Sequence, residues 1–374
     1  MEFYYIEELC KYSREGDLKS IRRLLVEHKF DNERMREAME KPLFTASECG
    51  YLEIVRFFVD YGVSITRKDK DEETLAFKAA SSGNVELVKY LVNCGDDVTA
   101  ADEYHRTALH TASFRGDLSM VKYLAETGMD KNSKDRVQRT PMHWAAKNGH
   151  TEIVKILTEN KADLNAKDKW QRTPMHWAVF KGHTEIVKIL AQNKVDLNVK
   201  DRWQETPMHW AVQNRHTESV EILAQYKADL NIRDEIQFTP MHWAVFKGHT
   251  EIVKILAQNK VDLNVKDRWQ NTPLYHAAKD GKVEFVKILI QNEADLNLKN
   301  SKTVIYFYKN LKVSVIRLIT TKIVKSGMVD GEQCVKVQWL LRADVIGKLK
   351  DDNFLPQFLQ SFLWFLTIEI RHKG

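Results

Sequence analysis

The six residues TPMHWA recur every 33 residues, beginning at Thr140, Thr173, Thr206 and Thr239. Looser copies start at Thr74 (TLAFKA), Thr107 (TALHTA) and Thr272 (TPLYHA). The stretch Thr173 to Gln204 is repeated without change at Thr239 to Gln270, two periods later. A fixed period of this length means that one short supersecondary unit is built again and again. A unit of that size cannot bury its apolar face alone, so it must stack on its neighbours. The 374 residues would otherwise suggest two or three domains. A stack of repeats replaces that expectation with one continuous array.

The unit can be read from Asp135 to Lys167. Thr140 is placed to N-cap a first helix, and Pro141 follows at the first helical position, where a missing N–H costs nothing. Pro42, Pro141, Pro174, Pro207, Pro240 and Pro273 are expected at this same position. Met142 and Ala145, three apart, share a face of that helix. Gly149 turns the chain into a second helix, TEIVKIL, with Ile153, Ile156 and Leu157 on its apolar side. The segment ADLNAKD then leads to the next Thr-Pro.

A period of 33 with a T-P-L-H-x-A core resembles the ankyrin repeat, over roughly four fifths of the chain. The resemblance implies an all-α solenoid of nine to ten helix–turn–helix units, joined through β-hairpin fingers and followed by a short helical tail. Residues 1–40 would form an N-terminal capping repeat (LKSIRRLLVE, without Thr-Pro). Residues 41–300 would be the regular array and 301–333 a degenerate capping repeat, leaving 334–374 as tail. The sequence departs from the family at two glycine positions. The finger turn carries Glu72, His105, Gln138, Gln171, Gln204, Gln237 and Gln270. The position after the second helix carries Lys161, Lys194, Lys227, Lys260 and Glu293. If these keep φ > 0, each costs on the order of 1 kcal/mol.

The finger tips are the candidate site. Two residues beyond each finger aspartate stand Tyr104, Val137, Trp170, Trp203, Ile236 and Trp269. Hairpin tips are ordinarily polar, and exposed aromatic side chains mark contact surfaces. The matching first-helix positions are Phe114 with Arg115, Phe180 with Lys181, and Phe246 with Lys247. Arg136, Arg139, Lys169, Arg172, Lys200, Arg202, Arg233, Lys266 and Arg268 flank the fingers, against Glu205, Glu235 and Asp280. In ankyrin proteins this side is the concave recognition face. A basic, aromatic face there suits an acidic, partly apolar protein segment. The other reading is that the tryptophans cover neighbouring fingers and the cations are merely solvated.

Other classes of function are disfavoured. His143, His176, His209 and His242, and likewise His150, His183, His216 and His249, recur with the repeat, which points to turn hydrogen bonds and packing. No metal and no cofactor is expected. Trp144, Trp177, Trp210 and Trp243 are likewise expected to pack between repeats. No phosphate-binding loop, nucleophile elbow or kinase signature is present, so no enzymatic activity is expected. From Ser301 onward there are 12 Lys and Arg against 6 Asp and Glu, leaving 45 against 46 in residues 1–300. A neutral array lacks the field that nucleic-acid binding needs. The charged N-terminus is no secretory leader, and Cys10, Cys49, Cys94 and Cys334 are scattered. The expectation is a cytoplasmic monomer, with the nucleus open as well.

In the tail, VQWLLRADVIGKL places Val337, Leu341 and Val345 four apart, with Leu340 and Leu349 beside them. This is an amphipathic helical pattern. Then FLPQFLQSFLWFL follows, with Leu355 and Pro356 near its start. The order resembles the SOCS box of ankyrin repeat and SOCS box proteins, with Leu341 where the family has Cys. The resemblance implies that Val337, Leu340, Leu341, Val345, Leu355 and Pro356 contact an elongin adaptor and a cullin. The chain would then be the substrate-recognition subunit of an elongin–cullin–RING ubiquitin ligase. The alternative is an ankyrin scaffold whose tail is a structural cap. A membrane anchor is disfavoured, because Phe354 to Ile368 is short and interrupted by Pro356, Gln357 and Gln360.

Overall fold

In the computed structural model of the protein, residues 2–28, 33–259 and 261–295 are described. They form nineteen helices: nine pairs and one short extra helix, Glu33–Ala38. The chain divides into two units, Met1–Arg202 with six of these pairs and Trp203–Gly374 with three. The expected degenerate repeat at 301–333 and tail at 334–374, including Val337, Leu340, Leu341, Val345, Leu355 and Pro356, lie outside the described residues.

Each regular repeat starts as its sequence dictates. Thr140 is extended (φ −93°, ψ 166°), Pro141 is the first helical residue, and the helix runs to Asn148. Gly149 ends it in the left-handed region, φ 81°. The second helix, Thr151–Glu159, buries Ile153, Val154 and Leu157. Val154 takes the fully buried place expected for Ile156, which is half-buried in this repeat, although the equivalent Ile189 is buried. Within the first unit, Pro141–Asn148 packs against Ala108–Arg115 on one side and Pro174–Lys181 on the other. Within the second, Pro240–Lys247 packs between Pro207–Gln213 and Pro273–Lys279. Met142, Ala145, Met175 and Ala178 are fully buried at these joints, and every large side chain placed there contributes about 1.5–3 kcal/mol.

Pro42 departs from the expected first position. It is the third residue of the helix Glu40–Cys49, because the backbone at Met39 is already helical (φ −74°, ψ −6°) and no Thr precedes the proline. No hydrogen bond is lost, since the first four helical N–H groups have no intrahelical acceptor.

The left-handed turns persist without glycine. Lys161, Lys194, Lys227 and Glu293 have φ of 61°, 57°, 64° and 71°. The finger residues Glu72, His105, Gln138, Gln171, Gln204, Gln237 and Gln270 lie between 58° and 65°. Arg215, at φ 59°, joins them where the neighbouring repeats have Gly182 and Gly248. Lys260 lies outside the described residues.

Candidate partner-binding face

Each finger is organised by its aspartate. Asp135 Oδ1 accepts from the backbone N–H of Val137 (2.9 Å) and of Arg139 (2.8 Å). The Asp135 N–H donates to the Arg139 carbonyl at 2.9 Å. This closes a five-residue turn with Gln138 left-handed. Asp69, Asp102, Asp168, Asp234 and Asp267 repeat the pattern. The expected β-hairpins therefore take the form of aspartate-centred turns. Among the described residues there is no strand, only one isolated antiparallel bridge, Ala101 to Thr107.

The second carboxylate oxygen ties the finger to the first helix. Trp144 Nε1 donates to Asp135 Oδ2 at 3.2 Å, Trp177 to Asp168 at 3.2 Å and Trp243 to Asp234 at 2.7 Å. His276 takes the same place on Asp267 at 2.7 Å, and Lys78 on Asp69 at 3.1 Å. Asp102 Oδ2 is instead taken by Arg106, four residues on. In the five pairs above, the donor stands nine residues after the aspartate. This is why an indole, an imidazole and an ammonium can exchange there: each puts an N–H at the same reach.

Fingers are also bonded to one another. Within the first unit, the N–H groups of Arg136, Lys169 and Arg202 donate to the carbonyls of Tyr104, Val137 and Trp170, each at 2.9 Å. Within the second, Glu235 and Arg268 donate to Trp203 and Ile236 at 3.1 and 3.2 Å. The tip residues thus stand in a ladder in each unit.

In the first unit, cations stack on the tryptophans. The Arg139 guanidinium lies 5.1 Å from the ring centre of Trp144, 5.5 Å from Trp170 and 4.8 Å from Trp177. Lys147 Nζ lies 5.0 Å from Trp144 and 5.1 Å from Trp177. Arg172 stacks on Trp170 and Trp177 at 5.5 and 5.3 Å. Phe114 meets Trp144 edge-on at 5.4 Å, and Phe180 meets Trp177 at 6.2 Å. Arg106 and Arg136 both lie over Tyr104, at 5.0 and 5.5 Å. Burial, followed by the charges of Arg139 and Lys181, lowers the pKa of Lys147.

The second unit uses the same frame differently. Where the first has Arg106, Arg139 and Arg172, it has Glu205, Phe238 and Asn271. Gln213, the counterpart of Lys147, donates to Glu205 Oε1 at 2.6 Å. Phe238 is buried and gathers Trp243, Phe246, Trp269 and His276 around it at 5.3 to 6.3 Å. Lys247 is 5.8 Å from Trp243. The basic, aromatic character expected of the face takes the form, in the first unit, of cations stacked on tryptophans.

The histidines of the phrase are structural. His143 Nδ1 accepts the Thr140 N–H at 3.0 Å, so its proton is on Nε2, which donates to the Arg172 carbonyl at 3.0 Å. It fills the helix-start place that Glu or Gln takes in a capping box. His110 and His242 repeat the arrangement. Burial lowers the pKa of His143 and His242 to about 4, and lowers that of His110 as well. The second histidine set crosses repeats too: His150 Nε2 reaches the Phe114 carbonyl at 3.0 Å. Among the described residues no group of three metal-ligating side chains comes together. Nor is any helix there long and apolar enough to cross a membrane.

The residues expected at the site divide by exposure. Tyr104, Phe114, Arg115, Phe180, Lys181, Trp203, Phe246, Lys247 and Trp269 are exposed, Trp269 most among the aromatic ones at 61%. Trp170 and Arg172 are half-buried. Lys147 was missed by sequence reasoning, and Arg139 entered only as a flanking cation. Their signal is positional: they stand four and twelve residues after Asp135, and Arg106 and Arg172 share the first of these positions. The tryptophans of the phrase pack as expected, but Trp144 and Trp177 are also the walls on which those cations lie.

A family model described as ankyrin repeats (three copies) matches residues 64–135, 142–234, 194–267 and 227–300, more than half of the chain. The chain belongs to the ankyrin-repeat family, and its array is a protein–protein interaction module. Among curated proteins, no relative matches it.

Proposed function

We propose that the finger face of the first unit holds an acidic, partly apolar segment of a partner protein. The observation that carries this is Arg139, held against Trp144, Trp170 and Trp177, with no ion pair to a carboxylate among the described residues. Such a half-buried guanidinium offers its outer N–H groups to an acidic side chain, and the surrounding rings offer apolar contact. Tyr104, Phe114, Arg115, Trp170, Arg172, Phe180 and Lys181 would contact the partner here. Trp203, Phe246, Lys247 and Trp269 would do so in the second unit.

The tail extends the proposal: the chain is the substrate-recognition subunit of an elongin–cullin–RING ubiquitin ligase, with Val337, Leu340, Leu341, Val345, Leu355 and Pro356 docking the adaptor. Support for this step is the sequence VQWLLRADV followed by Leu355 and Pro356. The scaffold reading is favoured by Leu341, because added volume fits poorly in a pocket shaped for Cys. Affinity purification of the full chain, of a chain lacking 334–374, and of Leu341→Asp separates the readings. The ligase reading expects elongin and cullin with the full chain and neither with the two variants. Partner capture without elongin in all three leaves the scaffold reading. Loss of partner, but not elongin, on Trp170→Ala or Lys181→Glu assigns the partner to the face.

A further inference from the structure

Arg139 and Lys147 lie against the same two indole rings, Trp144 and Trp177, each about 5 Å from both ring centres. Two cations that share two rings are close to one another, and they repel. Lys181 adds a third charge: its Nζ lies 5.4 Å from the ring centre of Phe180, which in turn meets Trp177 edge-on. Among the described residues, no carboxylate forms an ion pair with Arg139, Lys147 or Lys181, although surface lysines elsewhere in the same unit, such as Lys89 and Lys155, do find one. The Arg139 Nε is buried and makes no hydrogen bond. Packing has therefore gathered positive charge into a partly desolvated, aromatic-walled place, where the nearest carboxylates, Asp135 and Asp168, are taken up by Trp144 and Trp177 and by backbone N–H groups. An anion from outside would supply the ion pairs that these cations do not make within the described residues.

One carboxylate carries one charge and two oxygens. A phosphate monoester carries nearly two charges and three acceptor oxygens, and so matches a guanidinium and two ammonium groups better. We propose that Arg139, Lys147 and Lys181 form a subsite for a phosphorylated side chain of the partner, with Phe114 and Phe180 at its rim. The proposal rests on the partner-binding reading above and deepens it. A nucleic-acid phosphate has the same chemistry, but 45 basic against 46 acidic residues over positions 1–300 leave no field to follow a polyanion. The site is a local charge, suited to one phosphate on an otherwise ordinary protein segment.

The test uses the full chain, titrated with N-acetyl-O-phosphotyrosine amide, N-acetyl-O-phosphoserine amide and N-acetylglutamate amide at constant ionic strength. Binding is followed by the indole N–H resonances of Trp144, Trp170 and Trp177. At least one phosphorylated derivative should give saturable shifts, with a Kd at least about tenfold below that of the glutamate derivative, since each extra charge-assisted bond contributes strongly. Lys181→Gln, a change at an exposed side chain, should weaken this several-fold, as should Arg139→Gln, measured at a temperature where that variant is folded. Equal binding of the glutamate derivative, or unchanged binding by Lys181→Gln, overturns the phosphate subsite. So does a ten-nucleotide single-stranded RNA that binds more tightly through the same residues. If the phosphate arm fails while partner capture still depends on Trp170 and Lys181, the face binds a carboxylate-bearing partner. If partner capture is also indifferent to these residues, the functional reading itself fails.

Discussion

His143 donates from Nε2 to the carbonyl oxygen of Arg172, in the following repeat, at 3.0 Å. The same ring accepts from Thr140, so it holds two repeats only while neutral. This has a consequence for acid stability. In the unfolded chain such a histidine titrates near 6.5; in the folded chain His143 and His242 do so at about 4. Between these values the unfolded state takes up protons that the folded state refuses. Stability is therefore full above about pH 6.5, falls as the pH drops towards 4, and levels off below, by on the order of 3 kcal/mol for each histidine. The urea midpoint measured from pH 7.5 to 4 should show this fall. His143→Gln with His242→Gln should lower stability at pH 7.5 but flatten the slope. Parallel curves for the variant and the parent would show that these rings do not govern it.

Lys161, Lys194 and Arg215 are exposed and left-handed. Glycine at any of them relieves backbone strain but adds freedom to the unfolded chain, so the expected gain is modest, about 0.5–1 kcal/mol each. Thermal melting of the triple glycine variant should show an increase. The reverse change, Gly149→Ala, meets two obstacles. Its φ is +81°, and an added Cβ would stand 2.7 Å from the His183 ring. A loss of about 1–3 kcal/mol is expected.

Trp144→Phe keeps an aromatic wall but removes the donor to Asp135 Oδ2. A buried carboxylate oxygen without its partner costs about 1–3 kcal/mol. Trp144→His should recover part of this, because His276 already serves Asp267 in the same place. Chemical denaturation of the three proteins compares them directly. If Phe and Trp prove equally stable, the indole contributes only packing.

Trp170 is half-buried beneath Arg139 and Arg172. Trp170→Ala should therefore cost some stability, about 1–2 kcal/mol from two partly buried cation–π contacts and lost packing. Trp269→Ala, at the more exposed tip, should cost less. Both are expected to weaken partner binding by more than they destabilise the fold, measured by calorimetric titration at a temperature where each variant is folded. Binding that tracks the folded fraction alone would make both rings packing groups.

The frame of the fold was legible because it depends on local chemistry. Thr140, Pro141 and Gly149 each specify a backbone state, and the 33-residue period repeats them. Pro42 was misplaced because its helix begins on backbone already helical at Met39, which the proline alone does not reveal. Arg215 escaped notice because its repeat reads NRH where its neighbours read KGH, although counting 33 from Gly182 finds it. The candidate site was legible only in outline. That tip aromatics stand in a ladder follows from the repeat. That Arg139 rests on three indoles depends on the paths of long side chains, and no spacing rule supplies these. The face was expected to be basic with a few acids, Glu205 among them; that the exchange of Arg139 and Lys147 for Glu205 and Gln213 turns a stacked pair of cations into a hydrogen-bonded carboxylate–amide pair was not foreseen.

The duplicated stretch, Thr173 to Gln204 and Thr239 to Gln270, has a bearing on how the chain finds its own order. Trp177 is 7% exposed whereas its twin Trp243 is half-buried, because the residues that cover them come from outside the copied text. A nascent chain that docked one twin in the other's berth would satisfy every cap, turn and helix contact written within the 32 shared residues. Only flanking side chains such as Arg172 and Phe238 could tell the two berths apart. Those few residues act as an address within the array. Exchanging them should leave each repeat well formed while making misordered assembly, within one chain or between two, a competitor of the native arrangement.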